Sequence, residues 1–91
     1  MYNDQNEMVE AIQVEMYNNE DFYKYIIGEV ANEYAAEQIT EEQAARRLGI
    51  SAVCTYAQLD WATVQKLVPL DALKEVGSWL WGQAKEDWEL E

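Results

Sequence analysis

Residues 20–39 read EDFYKYIIGEVANEYAAEQI, the longest stretch of helical periodicity in the chain. Phe22, Ile26 and Val30 recur at i+4, with Tyr23, Ile27 and Tyr34 in a row beside them, which gives a 3.6-residue helix one apolar side. Ala31, Ala35 and Ile39 extend the stripe, and Asp21 complements the helix dipole at its start. The spacing predicts a helix over residues 20–38. Gly28 falls inside it and costs about 1 kcal/mol relative to Ala; it either permits close approach of the first helix or is simply a tolerated glycine.

Upstream, Met8, Ile12 and Met16 repeat at i+4 with Val9 and Ala11 beside them, predicting a helix over 5–17 capped by Asn3 or Asp4. The alternation Val14-Glu15-Met16 leaves a short strand open there. Asn18-Asn19 supplies the break, because both side chains compete for local backbone bonds. Downstream, Thr40-Glu41-Glu42-Gln43 is a capping box. Ala45 and Leu48 follow on the inner face, Arg46 and Arg47 on the outer, and Gly49 is expected to end that helix in a left-handed conformation. Ser51 would cap a short helix reaching Tyr56 or Leu59, and Asp60 another through Val68, stopped by Pro69. A last helix starts at Asp71, with Leu73, Val76, Leu80 and Ala84 in one row and Gly77, Trp81, Ala84 and Trp88 in the next. Closely joined helices without a convincing strand predict one compact all-α domain, residues 1–91, of four to five helices.

Ninety-one residues cannot hold an α/β barrel or a two-lobed catalytic fold. There is no histidine and one cysteine, so a single chain cannot build a zinc finger, a Ser-His-Asp triad or a Cys-His pair. Cys54, among Val53, Tyr56 and Ala57, is expected to be a buried thiol. No basic region precedes an apolar run at the N-terminus, and no stretch reaches 18 apolar residues, so the expected location is the cytoplasm. Leu90-Glu91 match the end of a cloning scar and are given no structural role.

Residues 40–51, Thr-Glu-Glu-Gln-Ala-Ala-Arg-Arg-Leu-Gly-Ile-Ser, resemble the first helix and turn of a bacterial helix-turn-helix. The resemblance extends to about residue 59. It implies a capped first helix, a turn at Gly49 and a recognition helix opened by Ile50 and Ser51. That second helix departs from the family. Thr55 and Gln58 stand where Val or Ile is usual, and no Arg or Lys occurs from Ser51 through Gln65. Phosphate contacts supply most DNA affinity and need cations. Direct nucleic acid binding is therefore not expected, and a degenerate helix-turn-helix regulator is the alternative this resemblance leaves.

The net charge is −12, and it is unevenly spread: residues 1–42 carry −10 and residues 43–91 carry −2. A field of this sign repels nucleic acid and anionic membranes and favours a basic partner, although it also simply keeps a protein soluble. Glu29, Glu33 and Glu37 lie at successive i+4 steps, with Glu41 one step further if the helix direction persists. None has a cation at i+4, so the row carries a small repulsive cost at a spacing of about 6 Å. This ridge is the expected partner-binding face. Wet carboxylates on one helix lack the enclosure that acid–base or metal chemistry needs, so no enzymatic activity, cofactor or metal is expected. Trp79, Trp81 and Trp88 crowd the last thirteen residues and form a second candidate interface, to a second copy or to a partner, or else part of the core. The leading expectation is a small acidic protein-binding module docking on a basic, nucleic acid-binding protein, in the manner of the nucleic acid mimics carried by phages and mobile elements. A structural or helper subunit of a larger assembly is the remaining alternative.

Overall fold

The computed structural model describes residues 5–90. Helix α1 (Gln5–Asn18) is followed by a π-helical turn (Phe22–Ile27) that runs directly into α2 (Gly28–Ala35). Then come α3 (Glu41–Ala57), the short α4 (Trp61–Leu67) and α5 (Leu70–Asp87). No strand occurs among the described residues, so the alternation at Val14–Met16 is part of a helix. The all-α class and the helix number agree with the sequence reading. Its caps for α1, Asn3 and Asp4, lie outside the described residues.

Asn19 does more than break the chain: its Oδ1 accepts the Phe22 amide at 2.9 Å and starts the next helix. That helix is not a plain α-helix. The Gly28 amide bonds to the Tyr23 carbonyl, an i→i−5 step. The wider turn moves the buried row from the expected Phe22-Ile26-Val30 to Phe22, Ile27, Val30 and Ala31, leaving Ile26 half-buried. The helix also ends earlier than its periodicity suggests, at Ala35. Glu37 adopts a left-handed conformation (φ 60°), and the Gln38 amide bonds back to the Glu33 carbonyl at 2.9 Å. This turn delivers Thr40 to cap α3. The capping box forms in full: the Gln43 amide donates to Thr40 Oγ1 at 3.1 Å, and the Thr40 amide donates to Gln43 Oε1 at 2.8 Å.

The expected turn at Gly49 does not exist. Helix α3 continues through Gly49 and Ser51 to Ala57, and Gln58, not Gly49, takes the left-handed cap (φ 57°). Residues 40–59 therefore do not form a helix-turn-helix. The reason is tertiary. Gly49 lies in the antiparallel crossing of α3 and α5, where an added Cβ would stand 2.4 Å from the Leu73 carbonyl oxygen. Across the contact, a Cβ on Gly77 would stand 2.0 Å from the Ala45 carbonyl oxygen. The two glycines bring the helix backbones together, so a residue that usually ends helices serves here as a contact surface.

Leu48, Leu80, Val76, Ile27, Val30, Val53 and Val64 are the largest fully buried side chains, and one cluster gathers residues from every helix. Asp60 caps α4 by accepting the Thr63 amide at 2.8 Å. Pro69 precedes α5, which begins at Leu70, one residue before the expected Asp71. Gln13 is the buried polar side chain of the core, and its Nε2 donates to the Glu75 carbonyl at 3.3 Å, tying α1 to α5. Cys54 is half-buried rather than buried, and burial, then Asp60, push its thiol pKa up. Leu90 packs against the core and its amide bonds to the Lys85 carbonyl at 2.8 Å, so it does have a structural role. None of the helices is long and apolar enough to cross a membrane among the described residues.

Candidate functional site

The four glutamates of the expected ridge do not share one helix face. Glu29 is exposed on α2. Glu33, one turn on, is partly covered and holds Arg47 of α3 in an ion pair at 2.9 Å. Glu37 sits in the left-handed turn, off the helix. Glu41 opens α3 after the chain has turned, and it binds Lys85 and accepts the Trp81 Nε1 hydrogen at 3.3 Å. The Lys85 contact holds the Glu41 carboxyl below its usual range. No cation stands at i+4 along this row, but α3 supplies Arg47 to Glu33 and α5 supplies Lys85 to Glu41. Arg47, placed on the outer face by the sequence pattern, is instead half-buried and paired; Glu33 pushes its pKa up.

The tryptophans divide as their two-residue offset implies. Trp81 faces inward, 3% exposed, with its ring edge-on to Tyr34 at a centroid distance of 5.0 Å. Trp79 turns the other way and meets Tyr17 edge-on at 5.7 Å. Tyr17 meets Tyr23 at 5.6 Å, and Tyr23 lies at 5.1 Å from Trp88. Trp79 and Trp88 are half-buried within this aromatic seam, which joins the start of the chain to its end. Together the three indoles do not make an open face.

Asp87 completes the seam. Both phenols donate to its Oδ2, Tyr17 at 2.7 Å and Tyr23 at 2.8 Å. A carboxylate at a helix C-terminus opposes the dipole, and two charge-assisted hydrogen bonds offset that cost. The Tyr17 pKa is pushed up to about 12, first by the hydrogen bond to Asp87 and then by burial. For Tyr23 burial comes first and the Asp87 bond second. A tyrosine raised in the folded state contributes stability that is complete below the unfolded value of about 10 and is lost as pH climbs through the folded value. Urea titrations from about pH 8 to 12 should therefore show parent and Tyr17→Phe stabilities converging at the alkaline end. Parallel curves would mean that the phenol proton is not held by Asp87.

Two surface features escaped the sequence reading. Tyr25 is 67% exposed, although the neighbouring aromatics are packed. It lies one turn after Asp21 and one turn before Glu29, both exposed. Four residues from each of these acids, it falls on the polar side of a plain 3.6-residue helix, away from the Phe22-Ile26-Val30 row. The second feature is an open groove of about 1030 Å³ between α3, α4 and α5, with Trp61, Ile50, Val68, Leu70, Leu73 and Trp81 on its walls. No protein-family model matches the chain, and no significant match is found among curated proteins or solved structures.

Proposed function

We propose that the protein is a small acidic binding module whose docking face is the exposed side of the π turn and α2, directed at a basic, nucleic acid-binding protein surface. The observation that carries this reading is Tyr25, a two-thirds exposed aromatic flanked along the helix by Asp21 and Glu29. Exposed tyrosines are characteristic anchors of interfaces, and a charged rim steers encounter. Glu10, Glu15, Asp21 and Glu29 are exposed and make no salt bridge among the described residues. Glu33 and Glu41 leave the expected ridge, since each already holds a cation of its own chain.

The test uses the partner recovered on immobilised protein at low salt and released at high salt. Surface plasmon resonance then compares the parent with Asp21→Lys/Glu29→Lys and with Tyr25→Ala. Charge reversal should slow association and flatten the salt dependence. Tyr25→Ala should speed dissociation and weaken binding by about 2 kcal/mol, some thirtyfold. DNA or RNA bound to the partner should be displaced by the parent protein. Unchanged kinetics in both folded variants would remove this face as the site.

A further inference from the structure

We propose that the groove between α3, α4 and α5 binds an anionic amphiphile, an aliphatic chain with a carboxylate or similar head. This is a second site, opposite in charge preference to the Tyr25 face and independent of it. The argument starts from where the cations lie. The chain has six Lys and Arg residues. Lys24, Arg47 and Lys85 are held by Glu20, Glu33 and Glu41. Arg46, Lys66 and Lys74 make no salt bridge among the described residues, and two of these, Arg46 and Lys74, line this groove. In a protein of net charge −12, two uncommitted cations beside one apolar trough are a local inversion of the surface. Of the acids on its rim, Glu41 is committed to Lys85 and Trp81, which leaves Glu42 as the opposing charge.

The walls suit a tail. Half-buried Trp61 and Ile50 offer aromatic and aliphatic surface above a floor formed by the buried Leu73 and Trp81, and Leu70 remains 62% exposed at the edge. Gly82 also lines the groove, and a Cβ added there would meet nothing within 4 Å. The trough is thus open at the point where a side chain on α5 would fill it. Its volume is at the upper end for small-molecule sites, which are concave, mostly apolar and oriented by few polar groups. A carboxylate between Arg46 and Lys74 with its tail along the trough satisfies both features.

Decanoate and dodecanoate are the probes, titrated below their micelle concentrations at physiological salt, where the Debye length of about 8 Å screens the distant acids of the N-terminal half. Calorimetry and the fluorescence of the groove tryptophans should report saturable 1:1 binding. Dodecanoate should bind about fifteenfold tighter than decanoate, since each of its two extra buried methylenes contributes roughly fourfold. Arg46→Glu/Lys74→Glu should weaken dodecanoate at least tenfold while leaving dodecanol unaffected. Gly82→Leu, a solvent-side change to a better helix former, should abolish binding of both without unfolding the protein. The proposal fails if dodecyltrimethylammonium binds as well as dodecanoate, or if Gly82→Leu binds as the parent does. It also fails if an acidic amphipathic helical peptide is captured in a Gly82→Leu-sensitive way while dodecanoate is not.

Discussion

Gly77→Ala is expected to destabilise the protein by about 3 kcal/mol, the upper end of ordinary overpacking costs. The new methyl would sit 2.0 Å from the Ala45 carbonyl oxygen and 3.1 Å from the Gly49 nitrogen. These are backbone atoms inside a helix, and no rotamer change can move them aside. The helices must separate, loosening Leu48, Val76 and Leu80, all fully buried around the same crossing. Alanine recovers about 1 kcal/mol of helix propensity, which does not offset the separation. For a chain of this size the total stability is about 5–14 kcal/mol, and a loss of 3 kcal/mol lowers Tm by roughly 12–24 °C. Gly49→Ala should cost a similar amount, with its Cβ 2.4 Å from the Leu73 carbonyl oxygen. The double variant should cost less than the sum, because one separation relieves both clashes. Gly82→Ala is the control: it lies in the same helix as Gly77 and faces open space, so it should stabilise by about 0.5–1 kcal/mol. Thermal and urea unfolding followed by circular dichroism decide the matter. A Gly77→Ala protein as stable as its parent would contradict the close crossing.

These glycines also mark where the sequence stops being legible. The capping box at Thr40 and the cap at Asp60 were readable because their chemistry is complete within four residues. The inner rows of α5 were readable because that helix keeps an α-helical register. Gly49 is ambiguous in the sequence because the local rule, glycine as helix terminator, and the tertiary rule, glycine as close-approach surface, use the same residue. Only Gly77, far along the chain, distinguishes them. The acidic row failed for two reasons of the same kind. The turn at Glu37 ends the helix without a glycine to announce it, and the cations for Glu33 and Glu41 arrive from α3 and α5. Tyr25 falls on the polar side of a plain 3.6-residue helix, so the pattern states its exposure but does not single it out as a contact residue. What remained visible was the imbalance of charge between the two halves, which composition alone states, while the faces on which that charge is free required the packing.

Trp81→Ala should cost about 3–5 kcal/mol, the usual loss for a buried large aromatic. The indole is 3% exposed, stands edge-on to Tyr34, and donates through Nε1 to Glu41 at 3.3 Å. It therefore links α2, the start of α3 and α5 through one side chain. Deletion removes the aromatic contact and leaves a cavity that opens towards the groove between α3 and α5, so the site can collapse only in part. Trp81→Phe separates the contributions. It keeps a ring against Tyr34 and removes the N–H that donates to the exposed Glu41 carboxylate. Glu41 would still hold Lys85, so no acceptor is stranded. The two substitutions should thus differ by about 2 kcal/mol or more in urea unfolding, with Trp79→Ala, half-buried in the Tyr17 seam, falling between them. If Trp81 were instead an interface residue, its removal would leave monomer stability nearly unchanged and act on association alone. Equal stability of Trp81→Ala and parent would therefore overturn its place in the core and return the tryptophans to the role of a contact surface.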